Sequence, residues 1–257
     1  MTRFLRQQAI CYWLQLKILT TSAFEGALAV FFPLMFATAT LLVYRVRGDA
    51  DALQYAGLGV AIMGMWTAQG VVAASLLSRE RWAGTLELVV AAPTSFSRIL
   101  VPICLAMSTI GIYCVVATMI WERLVFGIRL EIASWPLFLL SVLLTGVTLA
   151  LVGFFIAVTA VRYRTAWSLG AALEYPGWLL CGFVIPLSAL PAWSHPISWA
   201  IPTTWGMDAI RSAASGGSPW GDLAICLAVG AAYAVLASWL GRVLVDSARR
   251  HASLALT

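Results

Sequence analysis

The sequence is poor in charge. Asp, Glu, Lys and Arg make up 11% of its 257 residues, against about 25% in soluble domains. Lysine occurs once, as Lys17; asparagine is missing; the histidines are His195 and His251 alone. Each shortage excludes a chemistry. The one lysine follows Leu16 with no glycine-rich loop beside it, so the chain has no P-loop to hold ATP phosphates. No asparagine means no N-glycosylation sequon. Two histidines far apart in sequence do not make a zinc site, no G-x-S-x-G elbow surrounds a serine, and no catalytic constellation suggests an enzyme. The five cysteines (Cys11, Cys104, Cys114, Cys181 and Cys226) lie mostly inside apolar runs. They read as small buried side chains rather than a disulfide framework or metal ligands.

Apolar residues are abundant, at 61% of the chain with a mean hydropathy of +0.91. A core of this length cannot hide so much apolar surface from water, so lipid is the solvent and the class is all-α integral membrane. The net charge of +5 is spread over short loops, a distribution that suits topology signals and not nucleic acid.

Residues 3–20 alternate polar and apolar at helical spacing, with Leu5, Ala9, Trp13 and Leu16 on one stripe. This predicts a helix lying in the membrane interface. Six apolar segments follow at 24–44, 54–77, 99–121, 135–160, 167–188 and 222–245, each near the roughly 20 residues a helix needs to cross. The whole chain therefore reads as a single transmembrane domain, 1–257. With an internal N-terminus, Arg3, Arg6, Lys17, Arg79, Arg81, Arg98, Arg162, Arg164, Arg242, Arg249 and Arg250 lie inside; Arg45, Arg47, Arg123, Arg129 and Arg211 lie outside. Positive residues favour the cytoplasm, so both termini are expected there. The outer arginines also sit beside acids (Asp49 and Asp51, Glu122 and Glu131, Asp208), leaving that side nearly neutral. Gly64 with Ala68, Gly146 with Ala150, Gly153 with Ala157 and Gly230 with Ala234 repeat small residues at four-residue spacing, which permits close helix contact in lipid.

Two acids fall at membrane depth. Glu25 opens the first segment and reads as interfacial. Glu174 is about two turns into the fifth, and reads either as a polar group on a transport path or as a carboxylate bonded to a neighbouring helix. Between the second and third segments, 78–92 forms a charged cytoplasmic stretch that Pro93 closes. As a helix it places Glu80 and Glu87 on one face, with Ala83 and Gly84 between them, and Trp82, Leu86 and Val89 on another.

The run Glu80-Arg81-Trp82-Ala83-Gly84-Thr85-Leu86-Glu87, closed by Pro93, resembles the E-x-x-x-G-T-x-E…P coupling-helix motif of type-2 ABC transporter permeases. The prolines and aromatics from Phe183 through Pro186, Pro191, Trp193, Pro202, Asp208 and Arg211 are similar to that family's "fP…lP.w…P.ty..dalR" block. The resemblance implies an elbow helix at 3–20, a coupling helix at 78–92 and outer re-entrant helices at 189–213 that include Pro191, Pro202, Asp208 and Arg211. Glu80, Gly84, Thr85, Glu87 and Pro93 would dock on a separate ATP-binding subunit, which binds ATP and magnesium; this chain needs no cofactor or metal of its own. A second permease chain, identical or related, would pair with it in a bacterial plasma membrane. The first and fifth segments would line the path, making Glu174, Tyr175, Phe31 and Phe32 candidate lining residues. Their aliphatic and aromatic character favours a hydrophobic or amphipathic cargo such as a drug, antibiotic or lipid. Export of a glycan or polyol-phosphate polymer is the alternative within the family, and an ion-coupled transporter working through Glu174 the alternative outside it.

Overall fold

A computed structural model describes residues 2–21, 23–82, 84, 96–159 and 166–251. The elements run α1 (Thr2–Thr21), α2 (Ala23–Arg47), α3 (Ala50–Trp82), α4 (Phe96–Trp121), a π-helical turn (Glu122–Phe126), α5 (Trp135–Thr159) and α6 (Ala166–Leu180). Two 3-10 turns follow (Leu187–Ala189 and Ala192–Ser194), then α7 (His195–Ala200), α8 (Pro202–Ala214) and α9 (Trp220–His251). No strand occurs among the described residues. In lipid every backbone N–H and C=O must be satisfied within its own segment, which is why such apolar runs become helices.

Among the described residues, three stretches, Ser97–Phe126, Trp135–Thr159 and Trp220–Leu244, are long and apolar enough to cross a membrane by length and composition. The distribution of polarity says the same. Gln69, Ser108, Ser141, Thr145 and Thr148 are buried, while Leu139, Leu143, Ile225, Val235 and Trp239 face outward. A protein in water shows the opposite arrangement.

Helix α3 is the centre of the bundle. It is buried from Ala56 to Trp66 and packs against α2, α4, α5, α6 and α8. Asp49 caps its start, its Oδ1 accepting from the backbone N–H groups of Asp51 and Ala52 at 3.0 and 3.3 Å, as helix N-termini require. Small residues let the other helices close in. A Cβ on Gly64 would meet Cys114 and Pro33 at 3.1 Å, one on Gly146 the Ser108 hydroxyl at 2.7 Å, and one on Gly230 Thr148 at 2.8 Å. Three of the small residues singled out by their spacing therefore sit at helix contacts, where dispersion rather than the hydrophobic effect holds lipid-embedded helices together. On α1, Leu5 and Trp13 face outward. Gln8 Nε2 donates to the Arg98 carbonyl at 2.8 Å, and the Tyr12 hydroxyl meets Thr109 Oγ1 at 2.6 Å.

Two boundaries differ from the expected ones. Helix α3 continues through Trp82, so residues 78–82 extend the second long helix instead of opening a separate one. Helix α6 stops at Leu180, whereas an apolar run to 188 was expected. The reason is a helix-ending motif. Gly182 takes φ +71°, its N–H donates to the Leu179 carbonyl at 3.1 Å, and the Phe183 N–H donates to that of Trp178 at 3.0 Å. This is the paired bonding of a Schellman cap, for which glycine suits the left-handed position. Hydropathy does not register it, because Phe183, Val184 and Ile185 remain apolar.

Candidate functional site

The residues proposed for a transport path fall into two groups. Phe31 and Phe32 on α2 are exposed and pack edge to face at 6.1 Å. Tyr175 on α6 is also exposed, but its ring partners are Phe36 at 6.0 Å and Trp178 at 5.0 Å. Phe36 and Trp178 themselves meet at 4.9 Å. Tyr175 on α6 is therefore tied to α2 through Phe36 and to Trp178 on its own helix, two residues that sequence reasoning left out, while Phe31 and Phe32 pair with each other. Spacing held the signal: Phe36 follows Phe32 by four residues, and Trp178 follows Glu174 by four.

Glu174 is half-buried. Thr67 on α3 donates its hydroxyl to Glu174 Oε1 at 2.6 Å. Of the two readings, a bond to a neighbouring helix is present, and the side chain still keeps a solvent-accessible part. One turn on, Gly177 lets α6 close on α3: a Cβ there would lie 2.3 Å from the Trp66 ring.

Glu122 was expected beside Arg123 on the outer surface. It turns inward instead and is fully buried, opposite Gly57, where a Cβ would stand 3.3 Å from Oε2. Neither carboxyl oxygen has a hydrogen-bond partner among the described residues, and nor does Thr118 Oγ1 one turn earlier. The buried face of α4 carries it there: Glu122 follows the buried Thr118 by four residues and Val115 by seven, and the π-helical turn begins at Glu122 itself.

The outer block is built around Arg211. Pro191 precedes the second 3-10 turn and Pro202 opens α8 at a position that tolerates proline. From α8, the Arg211 guanidinium lies 3.5 Å from the centre of the Tyr55 ring and donates through Nη2 to the carbonyls of Gly182 and Phe183 at 2.7 and 3.3 Å. Its hydrogen bonds go to these carbonyls, not to Asp208. Burial lowers the Arg211 pKa to about 10, opposed by Tyr55 and Asp208, so the side chain is a cation at neutral pH. Burial raises the Asp208 carboxyl pKa, with the Arg211 charge working against it.

On the other side of the chain, Gly84 is exposed with φ +70°. A left-handed residue just past Trp82 is how a helix commonly stops. Glu80 falls within α3, its side chain outside the described residues; Thr85, Glu87 and Pro93 lie outside them altogether. A cavity of about 300 Å³ between α1, α4 and α5, lined by Tyr12, Ser108, Thr109 and Leu143 among others, is remote from both groups of site residues.

Several apolar helices, with a proline-broken block after α6, define a polytopic helical membrane domain. The profile of the ABC-2 type transporter family matches residues 6–214, so the chain belongs to that family. It is an ABC transporter permease, the transport rather than the catalytic subunit, in a family whose members work with an ATP-binding subunit and as paired permeases. Comparison with curated proteins gives no match.

Proposed function

We propose that the chain moves a hydrophobic or amphipathic compound outward, from the cytoplasm or inner leaflet, as half of a permease pair driven by a separate ATP-binding subunit. The observation that supports this best is the outward face of α2 and α6. Phe31, Phe32 and Tyr175 stand exposed there, beside a half-buried Glu174. An apolar aromatic surface with one polar group suits a cargo that is mainly apolar.

In this reading residues 1–257 form six crossings with both termini cytoplasmic, and the segment around Gly84 meets the ATP-binding subunit. Glu80, Thr85, Glu87 and Pro93 complete that contact. ATP and magnesium are held by the partner. Pro191, Pro202, Asp208 and Arg211 stand at the exit. Reconstituting the chain with its ATP-binding subunit in lipid vesicles tests the proposal. ATP-dependent movement of an amphipathic dye, lost in Glu80→Ala and Glu87→Ala at unchanged membrane insertion, is the expected result. Export of a glycan polymer with no dye movement would transfer the assignment to the polymer class. Proton-driven movement without ATP would remove it from the ATP-driven class.

A further inference from the structure

Past the cap of α6, three successive carbonyls lie outside any helix, and together they accept from side chains of α2, α3 and α8. The Gly182 carbonyl accepts from the Tyr55 hydroxyl of α3 at 2.9 Å and from Arg211 of α8 at 2.7 Å. The Phe183 carbonyl accepts from Arg211 at 3.3 Å, and the Val184 carbonyl from the Tyr44 hydroxyl of α2 at 2.5 Å. Below them Phe183 is fully buried, and its carbonyl sits so close to α3 that a Cβ on Gly59 would lie 1.7 Å from it. Cys181 is buried as well, its thiol 3.1 Å from Thr203 Oγ1 of α8.

Buried backbone oxygens outside regular structure need donors. A single guanidinium meets that need twice, stacks on an aromatic ring, and places its charge at the carbonyl end of α6, where the helix dipole favours a cation. Among the described residues, Arg211 alone touches both α3 and the segment after α6 in this way. The arrangement can also be undone. It consists of side chains on backbone oxygens, and a small movement of the segment after α6 away from α8 would break the Arg211 bonds together while leaving each helix intact.

We propose that Cys181–Val184 is a latch, held shut by Arg211 against Tyr55, and that its release opens the outer end of the transport path. Arg211 is thus a positioning residue. The proposal rests on the export reading above, but its first test needs no transport.

Cys181 and Cys226 are both buried, and only Cys181 lies under the latch; Cys226 bonds Thr148 in α5. In the full-length chain with Cys11, Cys104 and Cys114 replaced by Ala, alkylation by N-ethylmaleimide is followed at both thiols by mass spectrometry. Arg211→Gln should speed Cys181 labelling about tenfold or more, the opening expected when charge-assisted bonds are lost. Arg211→Lys should give a smaller increase, and Cys226 should stay protected in both. Unchanged Cys181 labelling in Arg211→Gln would overturn the latch; so would equal exposure of both thiols, which marks general unfolding. In the complex with its ATP-binding subunit, ATP turnover should raise wild-type Cys181 labelling. A complex that hydrolyses ATP with Cys181 labelling unaltered would refute the release step while leaving the export reading in place. A latch that responds to Arg211 in a chain that never pairs with an ATPase would do the reverse.

Discussion

Helix α6 and the segment that follows it are held in different ways. Around Glu174 and Tyr175 the helix presents an exposed ring and a half-buried carboxylate, with one hydroxyl of α3 as its polar tie. At the other end, six to eight residues on, the chain leaves the helix and side chains from α2, α3 and α8 grip its carbonyls. Loosely held apolar surface can repack around differing cargoes, because dispersion is non-directional. A polar clamp has one good geometry and is either made or broken. These contrasting kinds of contact suit the proposed path, which must accept compounds, and the proposed latch, which must switch.

The largest effect should come from overfilling the clamped end. Gly59→Ala would drive a methyl group into the Phe183 carbonyl, backbone that cannot rotate away. A loss of about 3 kcal/mol is expected, read as loss of monodisperse protein in detergent. Arg211→Leu comes next. It removes the donor to two buried carbonyls, at about 2–3 kcal/mol, visible as a lowered unfolding temperature. Tyr55→Phe keeps the ring under Arg211 and loses one hydrogen bond to Gly182, so about 1 kcal/mol is expected in the same assay. At the loosely held end the order reverses between stability and function. Tyr175→Ala removes an exposed ring and should cost under about 1 kcal/mol, while changing which dyes are moved in vesicles. If Tyr175→Ala proved as destabilising as Arg211→Leu, the contrast between the two ends would fail.

Much of this arrangement was legible before any coordinates. Low charge and long apolar runs specify a helical membrane protein, and small residues at four-residue spacing mark Gly64, Gly146 and Gly230 as contacts. What escaped was set by single atoms. Glu122 looks like a surface acid because it stands beside Arg123, but it continues the buried face of α4 one turn after Thr118. The end of α6 is invisible to hydropathy because the cap depends on one left-handed glycine. Tyr44 and Tyr55 draw no notice in the sequence, since nothing local says that their hydroxyls reach carbonyls more than a hundred residues away. Arg211 was noticed through a family pattern, but its role emerges from the Tyr55 ring beneath it.

In the proposed function this chain is driven by an engine held in a separate subunit. Purifying the full-length chain from native membranes in mild detergent and assaying ATP hydrolysis in the same fractions tests it most directly. The account predicts that ATP hydrolysis co-elutes with the chain, and that Glu80→Ala with Glu87→Ala weakens this coupling without preventing membrane insertion. A chain that elutes free of any ATPase, and still moves its cargo in vesicles on a proton gradient alone, would contradict it.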